Sequence, residues 1–113
     1  MSNINLDTKA IEAASRYLAF RGYEIITNEQ PSPLQIVTRE DEALVFVSVN
    51  VTFDNFDCIE ASREDFELAA ASYLKEHSDE IPDTTEVRFD SLKLLILTDD
   101  KALLRHEINV LNR

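Results

Sequence analysis

Two polar residues, Ser48 and Asn50, stand at the end of the otherwise apolar stretch LVFVSVN (44–50). If this stretch is a β-strand, its side chains alternate between two faces, so both polar residues share one face and the valines point the other way. The preceding stretch LQIVT (34–38) carries Gln35, which a hairpin brings to the same face. A hydroxyl and two amides can form hydrogen bonds and touch a cation, but they bring no charge to a site.

Other residue types that do chemistry in proteins are few and scattered. His77 and His106 have no partner at metal-ligand spacing, so we expect each to be a surface or helix-end residue. Cys58 is the only cysteine, which excludes an internal disulfide and a thiolate cluster, and we expect it to act as a small core residue. We therefore expect no cofactor.

The charge balance limits the classes of partner. The chain has 22 Asp and Glu against 11 Lys and Arg, a formal net charge of -11, and such a field repels polyanions. Acids also dominate the segment where we expect the second helix to begin: Asp54, Asp57, Glu60, Glu64, Asp65 and Glu67, against Arg63 alone. We do not expect nucleic acid as the partner. An alternative is that the acidic surface imitates DNA and occupies a DNA-binding protein.

Length and hydropathy predict one domain covering residues 1–113, since 113 residues with 44% hydrophobic content suit a single core. No stretch approaches the roughly 20 apolar residues of a membrane span, and MSNINLDTKA lacks the apolar run of a secretory signal. We expect a cytoplasmic protein with no membrane association.

The first elements are a helix and a strand. Asp7 is the expected N-cap of a helix whose apolar stripe includes Ile11, Ala14, Tyr17 and Leu18. Gly22, the only glycine, suits a left-handed C-cap just beyond this stripe. The segment YEIITN (23–28) then predicts a strand.

A hairpin follows, with the charged run REDE (39–42) as its loop. In that register Thr38 pairs with Ala43 and Gln35 lies opposite Phe46, and a loop one residue shorter or longer would separate Gln35 from the Ser48 face. Ser62 and Asp65 resemble a capping box for a second helix from Arg63 to about His77.

The segment VRFDSLKLLILT (87–98) predicts a strand buried on both faces. The pattern of the tail KALLRHEINVL (101–111) fits either a strand or a short helix. The order α-β-β-β-α-β predicts an α/β fold in which helices flank a mixed sheet.

From about Tyr17 to Leu97 the chain resembles the YraN family of small bacterial proteins, which has the restriction-endonuclease-like PD-(D/E)xK fold. YLAFRGYEIITN is similar to the family's helix end and first strand, and LQIVTREDEALVFVSVN occupies the place of its GEIDLIA…LVFVEVK hairpin. FELAAASYL resembles its second helix and VRFDSLKLLIL its RFDVV strand. The parts of the hairpin align without a gap.

The resemblance implies a metal-dependent nuclease centre, but this chain departs from the family pattern at the positions that matter. The acid of GEIDLIA falls on Gln35, the Glu of VFVEVK on Ser48 and its Lys on Asn50. The Glu that such families carry on the first helix falls on Ile11. The neighbouring Glu12 is a poor substitute, because one step turns a helical side chain by about 100°.

Other acids lie close in sequence to the altered positions. Asp54 and Asp57 follow Asn50 and are weak candidates for a relocated metal site, and Glu40 and Asp41 sit in the expected hairpin loop. Arg88 and Asp90 match the family's RFD motif, and we expect them to form a structural ion pair.

We therefore expect a catalytically inactive, nuclease-like protein that binds a protein partner or forms a homo-oligomer, with no catalytic residue, metal or cofactor. The alternative is a divergent metal-dependent endonuclease or nucleic-acid-binding protein that uses relocated carboxylates.

Overall fold

The computed structural model of the protein describes residues 3–53, 62–98 and 101–112. The elements in chain order are α1 (Asn3–Phe20), β1 (Glu24–Thr27), β2 (Ile36–Glu40), β3 (Ala43–Thr52), α2 (Arg63–Glu76), β4 (Glu86–Thr98), β5 (Lys101–Glu107) and a 3-10 helix (Val110–Asn112). The expected α/β class with a mixed sheet is confirmed. The tail, which the sequence left open, is a strand followed by a 3-10 turn. The expected core position of Cys58 lies outside the described residues.

The five strands form one sheet in the order β1-β2-β3-β4-β5. Among the strands of the described residues, only the central pair, β3 and β4, is parallel, and the other three pairs are antiparallel. The helix α2 lies in the crossover that joins the two parallel strands, because parallel neighbours need a long connection. The carboxyl ends of β3 and β4 therefore lie at the same end of the sheet.

Each face of the sheet is covered by a helix. The cluster on the α1 side contains Ala14, Leu18, Val45, Val47, Val49 and Leu92. The cluster on the α2 side contains Val37, Leu44, Phe46, Phe66, Ala70 and Tyr73. This alternation assigns the even-numbered residues of β3 to the α2 face, and it agrees with the expectation that β4 is buried on both sides, since Asp90 to Leu94 are at most 9% exposed.

Helix α1 begins at Asn3, so the expected N-cap at Asp7 is wrong. No glycine or proline precedes the apolar stripe, and the helix continues upstream of it. Gly22 ends the helix as expected, with a φ of 95°. The amide of Tyr23 donates to the carbonyl of Leu18 and that of Gly22 to Ala19, the two bonds of a Schellman motif.

Helix α2 begins with the expected capping box. The amide of Asp65 donates to the Ser62 hydroxyl at 3.1 Å, and the Asp65 carboxylate accepts from the amide of Ser62 at 3.3 Å. His77 is the C-cap residue, one position beyond the last helical residue.

The hairpin between β2 and β3 differs from the expected register by two residues. Glu40 pairs with Ala43 and Thr38 with Val45, so the loop consists of Asp41 and Glu42 only. Asp41 has a φ of 54°, a conformation that two-residue hairpin loops require and that Asp tolerates. A shift of two residues preserves the faces, because strand side chains repeat every second residue.

Candidate functional site

The four positions that the resemblance singled out lie on two sides of the sheet. Ser48 and Asn50 follow Phe46 on the α2 face of β3. Ile11 packs against the opposite, α1-side cluster, and Glu12 is solvent-exposed. Gln35 lies just before β2, beside the end of β3. The sheet therefore brings Gln35 close to β3 but separates Ile11 from Ser48.

Gln35 is held by the backbone of β3. Its side-chain Nε2 donates to the carbonyl of Val49, and its Oε1 accepts from the amide of Val49, both at 3.1 Å. By the register of the hairpin, the backbone of Leu34 would pair with Val49 if β2 continued. The primary amide supplies the donor and acceptor of a peptide group, so the side chain extends the β2–β3 ladder by one pair. A carboxylate could not make this pair, because it cannot donate to the carbonyl.

Ser48 and Asn50 present polar atoms that the sheet does not satisfy. Ser48 is 3% exposed, and neither its hydroxyl nor the side-chain Nδ2 of Asn50 has a hydrogen-bond partner within the described part of the chain. A buried polar group without a partner costs free energy, so these two positions are not explained by the packing of the sheet.

A lysine and a glutamate that the sequence analysis did not single out lie on the same face. In the parallel register Ser48 pairs with Ser91 and Asn50 with Lys93. Glu107 pairs with Ser91 from the other side, and its Oε1 is 3.6 Å from the Nζ of Lys93. Both side chains are largely buried, at 11% exposure for Lys93 and 19% for Glu107. This group, Ser48, Asn50, Ser91, Lys93 and Glu107, is the polar strip of the α2 face.

The polar strip had a sequence signal. In two segments that otherwise read as buried strands, polar residues interrupt the apolar run at the same spacing of two: Ser48 with Asn50, and Ser91 with Lys93. Two neighbouring strands that both turn polar on alternate positions indicate a shared polar face. Glu107 had no comparable signal, because the tail fitted either a strand or a helix.

Most candidate acids lie elsewhere. Asp54 and Asp57 are outside the described residues. Glu40 points to the α1 side, where its Oε1 is 2.8 Å from the Nη2 of Arg88, and Asp41 is in the hairpin turn. Among residues 3–53, 62–98 and 101–112, no group of three His, Cys, Asp or Glu side chains has the arrangement of a metal site. The nearest described carboxylate on the polar strip, Glu107, is two strands away from Ser48.

A second polar cluster is buried on the α1 face around Asp90, which is 0% exposed. Its Oδ2 accepts from the Tyr23 hydroxyl at 2.9 Å and from the Arg88 Nη2 at 3.3 Å, and it lies 2.9 Å from the His106 Nε2. Its Oδ1 accepts from the Arg88 Nε at 3.1 Å and from the amide of Asn109 at 3.0 Å. The expected ion pair of Arg88 and Asp90 is confirmed, within a network of five donors.

This network keeps Asp90 ionised. Burial alone would raise the pKa of its carboxyl, but the hydrogen bonds from His106, Arg88, the Asn109 amide and Tyr23 outweigh burial and lower the pKa to about 2. Burial and the bond to Asp90 raise the pKa of Tyr23, so its hydroxyl stays a donor. Burial would lower the pKa of Arg88, but its bonds to Asp90 and Glu40 raise it. Asp90, Tyr23 and Arg88 are thus each held in the charge state that their hydrogen bonds require.

His106 is therefore not the surface or helix-end residue that the sequence suggested. Its side chain is 7% exposed, in strand β5. Because the Asp90 carboxylate can only accept, the Nε2 of His106 donates to it, and the Nδ1 of the ring lies 3.0 Å from the hydroxyl of Tyr17. Through its contacts with Asp90 and Tyr17, the imidazole links β5 to both β4 and α1. His77 is a helix-end residue as expected, with its ring 4.1 Å from that of Tyr73.

Acidic side chains surround the start of α2. Glu64, Asp65 and Glu67 are exposed, and Arg63 is paired with Glu67 at 3.2 Å. The described part of this surface offers no free arginine to a phosphate backbone.

Neither the models of known protein families nor the curated proteins compared with this chain match it. In the described part of the chain, neither helix has the length and apolar character that crossing a membrane requires.

Proposed function

We propose that this chain is a YraN-type domain of the restriction-endonuclease-like fold that has lost hydrolysis and serves as a protein-binding domain. A mixed sheet with a parallel central pair and a helix on each face supports the class of fold. The four segments similar to the family support the ancestry.

The observation that carries the proposal is the pair of hydrogen bonds between Gln35 and Val49. At this position a nuclease centre of the family needs a carboxylate that faces a metal ion. Here an amide completes the sheet, and its oxygen and nitrogen each form one hydrogen bond with the backbone of Val49. A carboxylate cannot fill this structural role, because it has no donor for the carbonyl of Val49.

The chemistry of the remaining positions agrees with this reading. Mg²⁺ binds hard oxygen ligands in near-octahedral geometry and relies on carboxylates to balance its charge. Ser48 supplies a neutral hydroxyl, and Asn50 cannot provide the positive charge that stabilises the phosphoryl transition state. Removing one such electrostatic contributor costs about 10²- to 10³-fold in rate. Three are replaced together, so we expect no useful hydrolysis.

The surface favours a protein over nucleic acid as the partner. The net charge of -11 opposes a polyanion. Two large apolar side chains at the far end of the sheet, Leu97 and Leu103, are 53% and 50% exposed. Large apolar side chains that are exposed to solvent suit contact with another protein.

The test is a cleavage assay. Purified protein is incubated with Mg²⁺ or Mn²⁺ and with single-stranded, duplex and branched DNA, next to an active metal-dependent nuclease in the same buffer. We expect no cleavage above the protein-free background. Metal-dependent cleavage that is abolished by Asp54→Ala or Asp57→Ala, but not by the matched change Asp79→Ala in the turn after α2, would contradict the proposal.

The second candidate is a divergent metal-dependent nuclease with relocated charged groups. The proximity of Lys93 to Glu107 favours it, because a lysine paired with Asn50 and a neighbouring carboxylate bring back two charged groups of the required kinds. This candidate predicts that Glu107→Gln and Lys93→Met each abolish a metal-dependent cleavage. If the unaltered chain cleaves no substrate, the candidate is excluded.

A further inference from the structure

Strand β5 is an edge of the sheet. It pairs with β4 on one side, and no described strand pairs with its other side. Its seven residues, Lys101–Glu107, contain no proline. Its ladder with β4 is regular from Ser91 to Ile96, and a register shift follows before Thr98 pairs with Lys101. The peptide groups along the outer side of an edge strand can pair with a further strand.

The sequence of β5 is complementary to itself in the antiparallel direction. When two copies pair about Leu104, Lys101 of each copy lies opposite Glu107 of the other, and Leu104 lies opposite Leu104. Opposite charges directly across an antiparallel pair attract, and the carboxylate of Glu107 would then lie between Lys93 of its own chain and Lys101 of the other. Because the arrangement has twofold symmetry, the favourable Lys–Glu pair forms twice.

The side chains on the α2 face add apolar contact. Leu103 pairs with Leu95 of β4, so Leu103 shares a face with Lys101 and Glu107. Leu103 is 50% exposed, and in the twofold arrangement it lies opposite the aliphatic stem of Arg105 of the second copy. A second β5 would cover part of this exposed leucine.

The charges of β5 suit it to self-association despite the acidity of the chain. The strand carries Lys101 and Arg105 against Glu107 alone, within a chain of net charge -11. Two copies can therefore pair along β5 without bringing acidic side chains against each other. The buried bond between His106 and Asp90 fixes the carboxyl-terminal end of the strand to the sheet, so the edge is already ordered before a partner arrives.

We propose that two copies of the chain associate through their β5 strands, in antiparallel register about Leu104, to form a continuous ten-stranded sheet. This inference rests on the proposed function, because it identifies the protein partner as a second copy of the chain. Two short strands form a small interface, so the dimer is weak and depends on concentration.

The test is sedimentation equilibrium of the full chain over a concentration series. We expect a monomer–dimer equilibrium, and Lys101→Glu weakens it by about tenfold because it creates two like-charge pairs. The control Lys9→Glu makes the same change of charge on the exposed surface of α1 and leaves the equilibrium unaltered. A chain that stays monomeric, associates beyond dimers, or responds equally to both variants would overturn the inference.

Hydrogen exchange on the unaltered chain provides a test that needs no variant. Amides of β5 should become protected as the concentration rises, while those of the opposite edge strand β1 do not. Dimerisation without added protection of β5 places the interface elsewhere and refutes the inference. DNA cleavage by a β5 dimer would refute only the proposed loss of hydrolysis, whereas an inactive monomer would refute only the dimer.

Discussion

The side-chain amide of Gln35 pairs with both peptide groups of Val49, each at 3.1 Å, and so replaces a backbone pair at the end of the hairpin. This pair of hydrogen bonds explains why position 35 is a glutamine. A glutamine fits because it resembles a peptide, and an acid of the same length does not. The side chain of Gln35 thus extends the sheet beyond the end of β2.

The first prediction concerns this pair. Gln35→Glu places a carboxylate against the carbonyl of Val49 and removes a donor, so we expect the free energy of unfolding to fall by about 1–3 kcal/mol at neutral pH. Urea denaturation measures this change in the free energy of unfolding. Gln30→Glu adds the same charge five positions earlier and serves as the control, for which we expect less than about 0.5 kcal/mol. Equal losses for both variants would mean that the charge, rather than the lost pair, causes the effect.

The second prediction compares two buried hydroxyls of the hairpin. Ser48 has no partner among the described residues, whereas the Oγ1 of Thr38 donates to the carbonyl of Val45 at 3.1 Å. We expect Ser48→Ala to leave stability unchanged or raise it by up to about 1 kcal/mol, and Thr38→Val to lower it by about 1 kcal/mol. Urea denaturation of both variants checks the order. A larger loss for Ser48→Ala would show that its hydroxyl is bonded in solution.

The third prediction concerns the buried carboxylate on the other face. Asp90→Asn leaves Arg88 and His106 without their anionic partner, and we expect a loss of about 3 kcal/mol. The control, Glu24→Gln, removes the exposed ion pair with Arg39 and should cost less than about 1 kcal/mol. Similar losses in thermal and urea unfolding of the two variants would contradict the structural role of the network.

The fourth prediction is a pH dependence. The pKa of Asp90 falls from 3.8 to about 2 on folding, so its ionisation contributes about 2 kcal/mol above the unfolded pKa. That contribution is complete above about pH 5 and is lost as the pH falls towards 2. The difference in unfolding free energy between the unaltered chain and Asp90→Asn should narrow over this range. A difference that stays constant from pH 6 to pH 2 would show that Asp90 titrates normally.

Sequence reasoning succeeded at two helix ends, where local patterns decide the outcome. The Gly22 cap and the Ser62–Asp65 capping box follow from residues that are neighbours in the chain. The prediction that REDE (39–42) forms the hairpin loop was wrong. Charge alone suggests a loop, but Arg39 and Glu40 are strand residues, and their side chains form ion pairs with Glu24 and Arg88.

The rest depends on contacts between distant segments. Tyr17 and His106 are 89 positions apart, and nothing near either residue indicates that they meet. Gln35 illustrates a different limit. Its shared face with Ser48 was expected from strand alternation, but the use of its amide as a substitute for a peptide group depends on where β2 ends, which the sequence does not specify.

Mn²⁺ titration followed by isothermal calorimetry tests the central claim most directly, because the claim is that this site lacks the charges to hold a divalent ion. We predict no stoichiometric heat for the unaltered chain at neutral pH, with the same result for Ser48→Ala. One Mn²⁺ bound per chain, with binding lost in Glu107→Gln, Asp54→Ala or Asp57→Ala, would contradict it.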